Sequence, residues 1–254
     1  MRRLIAGEFH KLLTTRLWLW LLLTAVALTA LYASLLIAFA DGDETWTPSL
    51  DTAAGQQTLF AVAVGGASTL AAVLGAIGIS GEFRHKTATA TFLATPHRGR
   101  VVTAKLFTYG LAGAAYAVAC LSIVTAIALP WLTAKGIHLP LTGNGIPATA
   151  LGTVAAVTVF ALIGVGLGAL LRDQVATVVA LLVYRFVAEP IVTGVPALEG
   201  ISRYLPGPAS SALTQITLTT QDFLTPWAGG LALAAYGLAF AVLGTIWSMR
   251  RDIS

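Results

Sequence analysis

Long apolar runs separated by short polar breaks dominate this chain. Six stretches are apolar almost without interruption: Leu17–Ala40, Leu59–Ile79, Leu106–Trp131, Ala148–Leu171, Val175–Thr193 and Trp227–Ser248. A helix of roughly 20 apolar residues crosses a bilayer core of about 30 Å, and each stretch meets or approaches that length. The pattern predicts an all-α integral membrane protein with six transmembrane helices. The six runs occupy most of the chain, which leaves no room for a soluble catalytic domain.

Three segments between the runs carry patterns of their own. In Met1–Arg16, Leu4, Ile5, Phe9, Leu12 and Leu13 recur at roughly helical spacing, with Arg2, Arg3, Glu8 and Lys11 on the polar sides. This predicts an amphipathic helix at the membrane interface over residues 1–16. Residues 80–104 hold the densest charge in the chain around an apolar centre, Phe83 and Phe92-Leu93. Exposed apolar residues framed by charge suit a protein-binding surface. Residues 194–226 are moderately apolar but broken by Pro196, Pro206 and Pro208. Proline removes a helix-bonding N–H, and irregular backbone is not tolerated against lipid. This segment therefore reads as a re-entrant or capping element docked on protein.

Composition strengthens the membrane reading: 57% of residues are hydrophobic and 10% charged, against roughly 25% charged in soluble domains. Mean hydropathy is +0.82. The net charge of +4 does not form a soluble basic face; the basic residues sit at span ends. Arg2, Arg3, Lys11, Arg16, Arg84, Lys86, Arg98, Arg100, Lys105, Arg172, Arg250 and Arg251 fall on one side. Lys135 and Arg203 fall on the other, with the acidic group Asp41, Asp43, Glu44 and Asp51. By the positive-inside rule both termini are expected in the cytoplasm. The first run ends in Ala38-Phe39-Ala40, like a signal-peptidase site, but it far exceeds the 7–15 residues of a signal core. An uncleaved signal anchor is expected. The single cysteine, Cys120, lies inside the third run, which excludes an internal disulfide.

Candidate chemistry is sparse. Gly78-Ile79-Ser80-Gly81 matches the GxSG pattern of rhomboid intramembrane proteases, whose serine needs a histidine base on a neighbouring span. His10, His85, His97 and His138 all fall in expected loops. Gly81 to Thr87 departs from a phosphate-binding loop, because His85 stands where the second glycine must precede Lys86. No metal-ligand spacing occurs. In the fifth run, Arg185 and Glu189 stand one helical turn apart. Charges at that depth cost several kcal/mol unless paired, hydrated or protein-facing, and the spacing lets them pair. Two readings stand open, a translocation or interface pair and a structural pair near Pro190. Gly164 and Gly168 form a GxxxG pair with Gly166 between them. Gly230, Gly237 and Gly244 recur every seven residues, and Gly75, Gly78 and Gly81 line the end of the second run. Such stripes let helices approach closely, in this chain or in another.

"GEFHKLLTTR" before the first run and "SGEFRHKTATATFLATPHRGRVVTAK" between the second and third resemble bacterial ABC transporter permeases of the type-2 exporter class. The resemblance spans nearly the whole chain and rests on Glu82, Thr87–Thr91, Pro96, Arg98–Arg100 and Lys105, with six spans and a proline-rich last outer loop. It implies a permease that works as a homo- or heterodimer in the bacterial plasma membrane, with separate ATPase subunits on the cytoplasmic side. ATP and Mg would be bound by those partners, with no cofactor, metal or catalytic residue on this chain. It further implies that the first helix and a coupling helix within 80–104 grip the ATPase, through Glu8, Lys11, Glu82, Phe83, Arg84, Thr87, Thr89, Phe92, Leu93, Pro96 and Arg98. The cargo expected is hydrophobic or amphipathic: a drug, peptide or lipid. The alternatives are a non-transporting membrane scaffold or sensor-like subunit, and a secondary transporter, which would carry ionisable residues across several midplane helices and an internal repeat.

Overall fold

The computed structural model describes residues 1–40, 48–84, 98–214 and 223–250, and every regular element among them is helical. The order is α1 (Arg2–Thr14), α2 (Leu17–Phe39), α3 (Ala53–Arg84), α4 (Arg98–Ala134), α5 (Ile146–Leu171) and α6 (Gln174–Val183). A π-helical turn over Tyr184–Ala188 continues into α7 (Glu189–Gly194). After a 3-10 turn at Pro196–Leu198 come α8 (Glu199–Ser202), α9 (Pro206–Thr214) and α10 (Pro226–Arg250). Among the described residues, six helical stretches are long and apolar enough to cross a membrane: α2, α3, α4, α5, α10 and the path Gln174–Gly194 through the π turn. This is a multi-pass membrane protein.

Two helices outrun their apolar cores. At about 1.5 Å per residue, the 32 residues of α3 and the 37 of α4 reach about 48 Å and 55 Å, well past a hydrocarbon core of about 30 Å. Hydropathy marks where lipid begins, whereas backbone hydrogen bonding decides where a helix ends. Ser80–Arg84 therefore extends α3, and Arg98–Lys105 forms the first turns of α4. The long 80–104 break narrows to residues 85–97, which lie outside the described residues along with 41–47, 215–222 and 251–254.

Contacts at the two ends define an up-and-down bundle. At one end Lys135 donates to the Ile37 carbonyl at 2.9 Å. There too Gln56 donates to the carbonyls of Leu50 and His138 at 3.1 and 3.0 Å and accepts from Asn144 at 2.8 Å. The opposite end gathers α1, the end of α3, the start of α4 and the tight α5–α6 turn. That turn reverses the chain in two residues. Arg172 adopts a left-handed φ of 55° and its N–H returns to the Gly168 carbonyl, while the Asp173 side chain caps α6 by accepting from the Ala176 N–H at 2.7 Å.

The core runs through α3, where 78% of the most apolar window is buried, against 22% for α2 and 17% for the fifth span. Glycine makes that enclosure achievable. A Cβ at Gly164 would strike the Ala72 carbonyl, one at Gly75 the Ala161 carbonyl, and one at Gly168 the Ala76 carbonyl at 2.7 Å. The GxxxG pair of α5 thus packs on α3 of the same chain. Gly166, on another side of α5, meets Phe240 of α10, and Gly244 returns the contact at 3.0 Å from Ala169 Cβ. The third stripe does not hold together. Gly75 faces α5, Gly78 faces Tyr109 of α4, and a Cβ at Gly81 would meet nothing within 4 Å.

Candidate functional site

Two groups of charged side chains stand out against this apolar bundle, one at the basic end and one inside the fifth span. The first begins with α1, which packs on the start of α4. Its inward residues are Leu12 and, against expectation, Glu8, which is 4% exposed. The sequence pattern placed Glu8 on the polar side with Lys11. The reason for the difference is Lys105, 97 positions away, which is 1% exposed and whose ammonium lies 2.5 Å from Glu8 Oε2 and 2.9 Å from Glu82 Oε1. Lys11 closes the figure at 2.9 Å from Glu8 Oε1 and 2.8 Å from Glu82 Oε1.

Two carboxylates and two ammonium groups therefore alternate around a neutral square. Burying charge is costly unless each charge is paired and hydrogen-bonded; here Lys105 finds both carboxylates and lies 3.3 Å from the Gly78 carbonyl. The square joins three elements: the interfacial helix through Glu8 and Lys11, the end of α3 through Glu82, and the start of α4 through Lys105. Partial burial alone would lower the pKa of Lys11. The hydrogen bonds and charges of Glu82 and Glu8 more than reverse this and leave it above the ordinary lysine value of 10.5. Lys105, one of the residues that carry the family resemblance but not one of the expected ATPase contacts, is the partner that completes the square. The available signal was a lone lysine among Val101, Val102, Ala104 and Leu106.

The neighbouring residues tie the same end to the α5–α6 turn. The Arg172 guanidinium lies over the Phe83 ring, 5.3 Å from its centroid, and Arg84 Nη1 donates to Gln174 Oε1 at 3.4 Å. Of the expected coupling residues, Glu8, Lys11, Glu82, Phe83 and Arg84 thus converge on one end of the bundle. Arg98 opens α4 at the same end. Thr87, Thr89, Phe92, Leu93 and Pro96 lie outside the described residues. Ser80, the serine of the GxSG match, is buried and donates its hydroxyl to the Ala76 carbonyl at 2.6 Å.

The second group is the Arg185–Glu189 pair, which the structure brings together as the spacing predicts: Arg185 Nη1 donates to Glu189 Oε2. Pro190 follows directly, yet the chain remains helical to Gly194. Proline cannot supply the N–H of a normal α turn. The chain instead widens into the π turn, in which the Glu189 N–H reaches the Tyr184 carbonyl. Glu189 Oε1 accepts from the Tyr184 hydroxyl at 3.3 Å and from the Gly207 N–H at 2.6 Å. Gly207 lies in the first turn of α9, so Glu189 neutralises the positive end of that helix dipole and pins it to the fifth span. α9 is almost wholly buried against α10, α5 and α3. The close approach needs Gly229, where a Cβ would lie 2.6 Å from the Ala209 carbonyl.

Arg185 also borders two cavities. The inner one, about 320 Å³, lies between α3, α5, the fifth span and α10. The second, about 430 Å³, lies on the side of α2 and includes Tyr32, Thr58 and Phe186. Thr69 and Arg185 line both. No protein-family model matches this chain, and a search of curated proteins returns no match.

Proposed function

We propose that this chain is the membrane-spanning permease subunit of an ATP-driven exporter, as its resemblance to type-2 ABC permeases implies. The observation that carries the reading is the buried square of Glu8, Lys11, Glu82 and Lys105. It welds the interfacial helix to the two helices that flank residues 85–97. A load applied between those two helices therefore passes into α1, α3 and α4 together, and through Phe83 and Arg84 into the α5–α6 turn. A coupling device needs this stiffness, since a flexible flank would absorb the stroke.

In this account the basic end faces the cytoplasm of a bacterial cell, with both termini there. The coupling segment lies within residues 80–104, and the segment between the fifth and sixth spans is the outer re-entrant or capping element. Two permease chains face one another. ATP binding by partner ATPase subunits draws the coupling loops together and switches access from inside to outside. The first, second and fifth spans line the path, and α2 and the fifth span are the least enclosed helices of the single chain along with α10. Their exposed Leu, Val and Phe side chains suit hydrophobic or amphipathic cargo.

The test is copurification of the affinity-tagged chain from its native membrane. A stoichiometric ATPase carrying intact nucleotide motifs, whose retention depends on Glu82 and residues 87–95, is the expected result. Recovery of the chain with no ATPase sinks the exporter reading and favours a scaffold or a secondary transporter.

A further inference from the structure

We propose that Arg185 is the headgroup site of an intramembrane binding pocket for a single-tailed amphiphile with an uncharged, acceptor-rich head, such as an ester or amide. The proposal concerns equilibrium binding by the chain itself and stands without the exporter reading.

The inner cavity is lined by Ala72, Phe160, Ile163, Leu167, Leu181 and Phe240. Its volume of about 320 Å³ falls at the lower end of the roughly 300–1,000 Å³ typical of ligand pockets, a size suited to one apolar tail. Its polar lining is confined to Thr69, Tyr184, Arg185 and Tyr236. Across Arg185, the second cavity adds the hydroxyl-bearing Tyr32 and Thr58. The guanidinium thus stands where an oily compartment meets a more polar one, and a molecule filling both is an amphiphile with its head at residue 185.

The charge state selects the head. Glu189 already balances Arg185, so an ionised headgroup would leave a net negative charge at membrane depth, which costs several kcal/mol. What remains unspent is hydrogen-bond capacity. A guanidinium carries five N–H donors, and among the described residues Arg185 donates to Glu189 alone. Its side chain is 25% exposed, and it lines both cavities. Donors that open into an intramembrane cavity are costly to leave unmade where water does not reach them. A neutral head with two or more acceptor oxygens satisfies them without adding charge.

The experiment is photoaffinity labelling of the purified chain in lipid nanodiscs with a glycerol monododecanoate carrying a diazirine in its tail. The label is competed by unlabelled glycerol monododecanoate, dodecanoate or dodecane. The expected label falls on Ile163, Leu167, Leu181 or Phe240. The ester should compete at least tenfold better than either dodecanoate at neutral pH or dodecane. Ala180 lines the inner cavity but is exposed, so Ala180→Trp blocks the tail without disturbing the Arg185–Glu189 pair and should cut labelling at least tenfold. Arg185→Gln should erase the ester's advantage over dodecane. Label mapping elsewhere, or equal competition by ester and dodecane on the wild-type chain, overturns the proposal. Dodecanoate competing as well as the ester overturns the uncharged-head assignment. A fall in dimer fraction for Arg185→Gln with the ester's advantage intact shows that the arginine serves a second copy instead.

Discussion

Lys105→Met removes the buried cation that faces both Glu8 and Glu82 while keeping an unbranched side chain of similar reach. Taking one partner from a buried ion pair costs about 3–5 kcal/mol, because the remaining charge stays desolvated and uncompensated. The cost belongs at the lower end here, since Lys11 still lies 2.9 Å from Glu8 and 2.8 Å from Glu82. A loss of roughly 3 kcal/mol is expected, on the order of 100-fold in the folding equilibrium. The matching Lys11→Met change removes a cation whose side chain is 49% exposed, for which solvent screening leaves about 0–1 kcal/mol. Graded SDS unfolding in mixed micelles, followed by circular dichroism, reads both. Adding Glu8→Gln to each variant gives the coupling energy, which should be large for Lys105 and small for Lys11. A Lys105→Met protein within about 0.5 kcal/mol of wild type, or one more stable than Lys11→Met, refutes the claim that the square is a buried weld.

Gly164→Ala should destabilise the bundle by about 1–3 kcal/mol, since its methyl strikes the Ala72 carbonyl and overpacking costs that much. Gly81→Ala, with nothing within 4 Å, should be neutral or gain about 0.5–1 kcal/mol from helix propensity; thermal melts of the two variants in one detergent give the sign. Glu189→Gln removes the charge that holds the start of α9, and a charge-assisted hydrogen bond is worth about 1.5–3 kcal/mol. In a Cys120→Ala background, a cysteine placed by Ser210→Cys on this buried helix should then react with maleimide at least tenfold faster. The raised pKa of Lys11 fixes a sign as well. Its stabilising contribution is whole below the unfolded lysine value of 10.5 and disappears as pH rises through the higher folded value. The stability gap between wild type and Lys11→Met should therefore close in strongly alkaline solution.

The features legible in the sequence were those set by local spacing. Six spans follow from the length of the apolar runs, and the Arg185–Glu189 pair from four-residue separation on one helix. The glycine stripes announced close approach, though not that α5 would turn Gly164 to α3 and Gly166 to α10. Features that depend on distant partners were not legible. Glu8 points inward because Lys105 waits 97 residues further on, and α9 docks where it does because Gly207 meets a carboxylate 18 residues earlier. The extent of α3 and α4 escaped for another reason: a hydropathy pattern measures contact with lipid, and Ser80–Arg84 and Arg98–Lys105 are helical without it. The π turn combines both limits, since Pro190 announces a fault in the helix while tertiary pairing decides how the chain absorbs it.

ATP-dependent efflux from proteoliposomes holding this chain and the ATPase proposed as its partner, compared with the ATPase rate in the same vesicles, reads whether the square transmits force. The residue changed in Lys105→Met sits inside the helix bundle, where Lys105 pairs with Glu8 and Glu82. If the square carries force from residues 85–97 into the bundle, this variant keeps the ATPase bound and hydrolysing while efflux per ATP falls at least tenfold. Full efflux per ATP from the folded Lys105→Met chain contradicts the proposed coupling role.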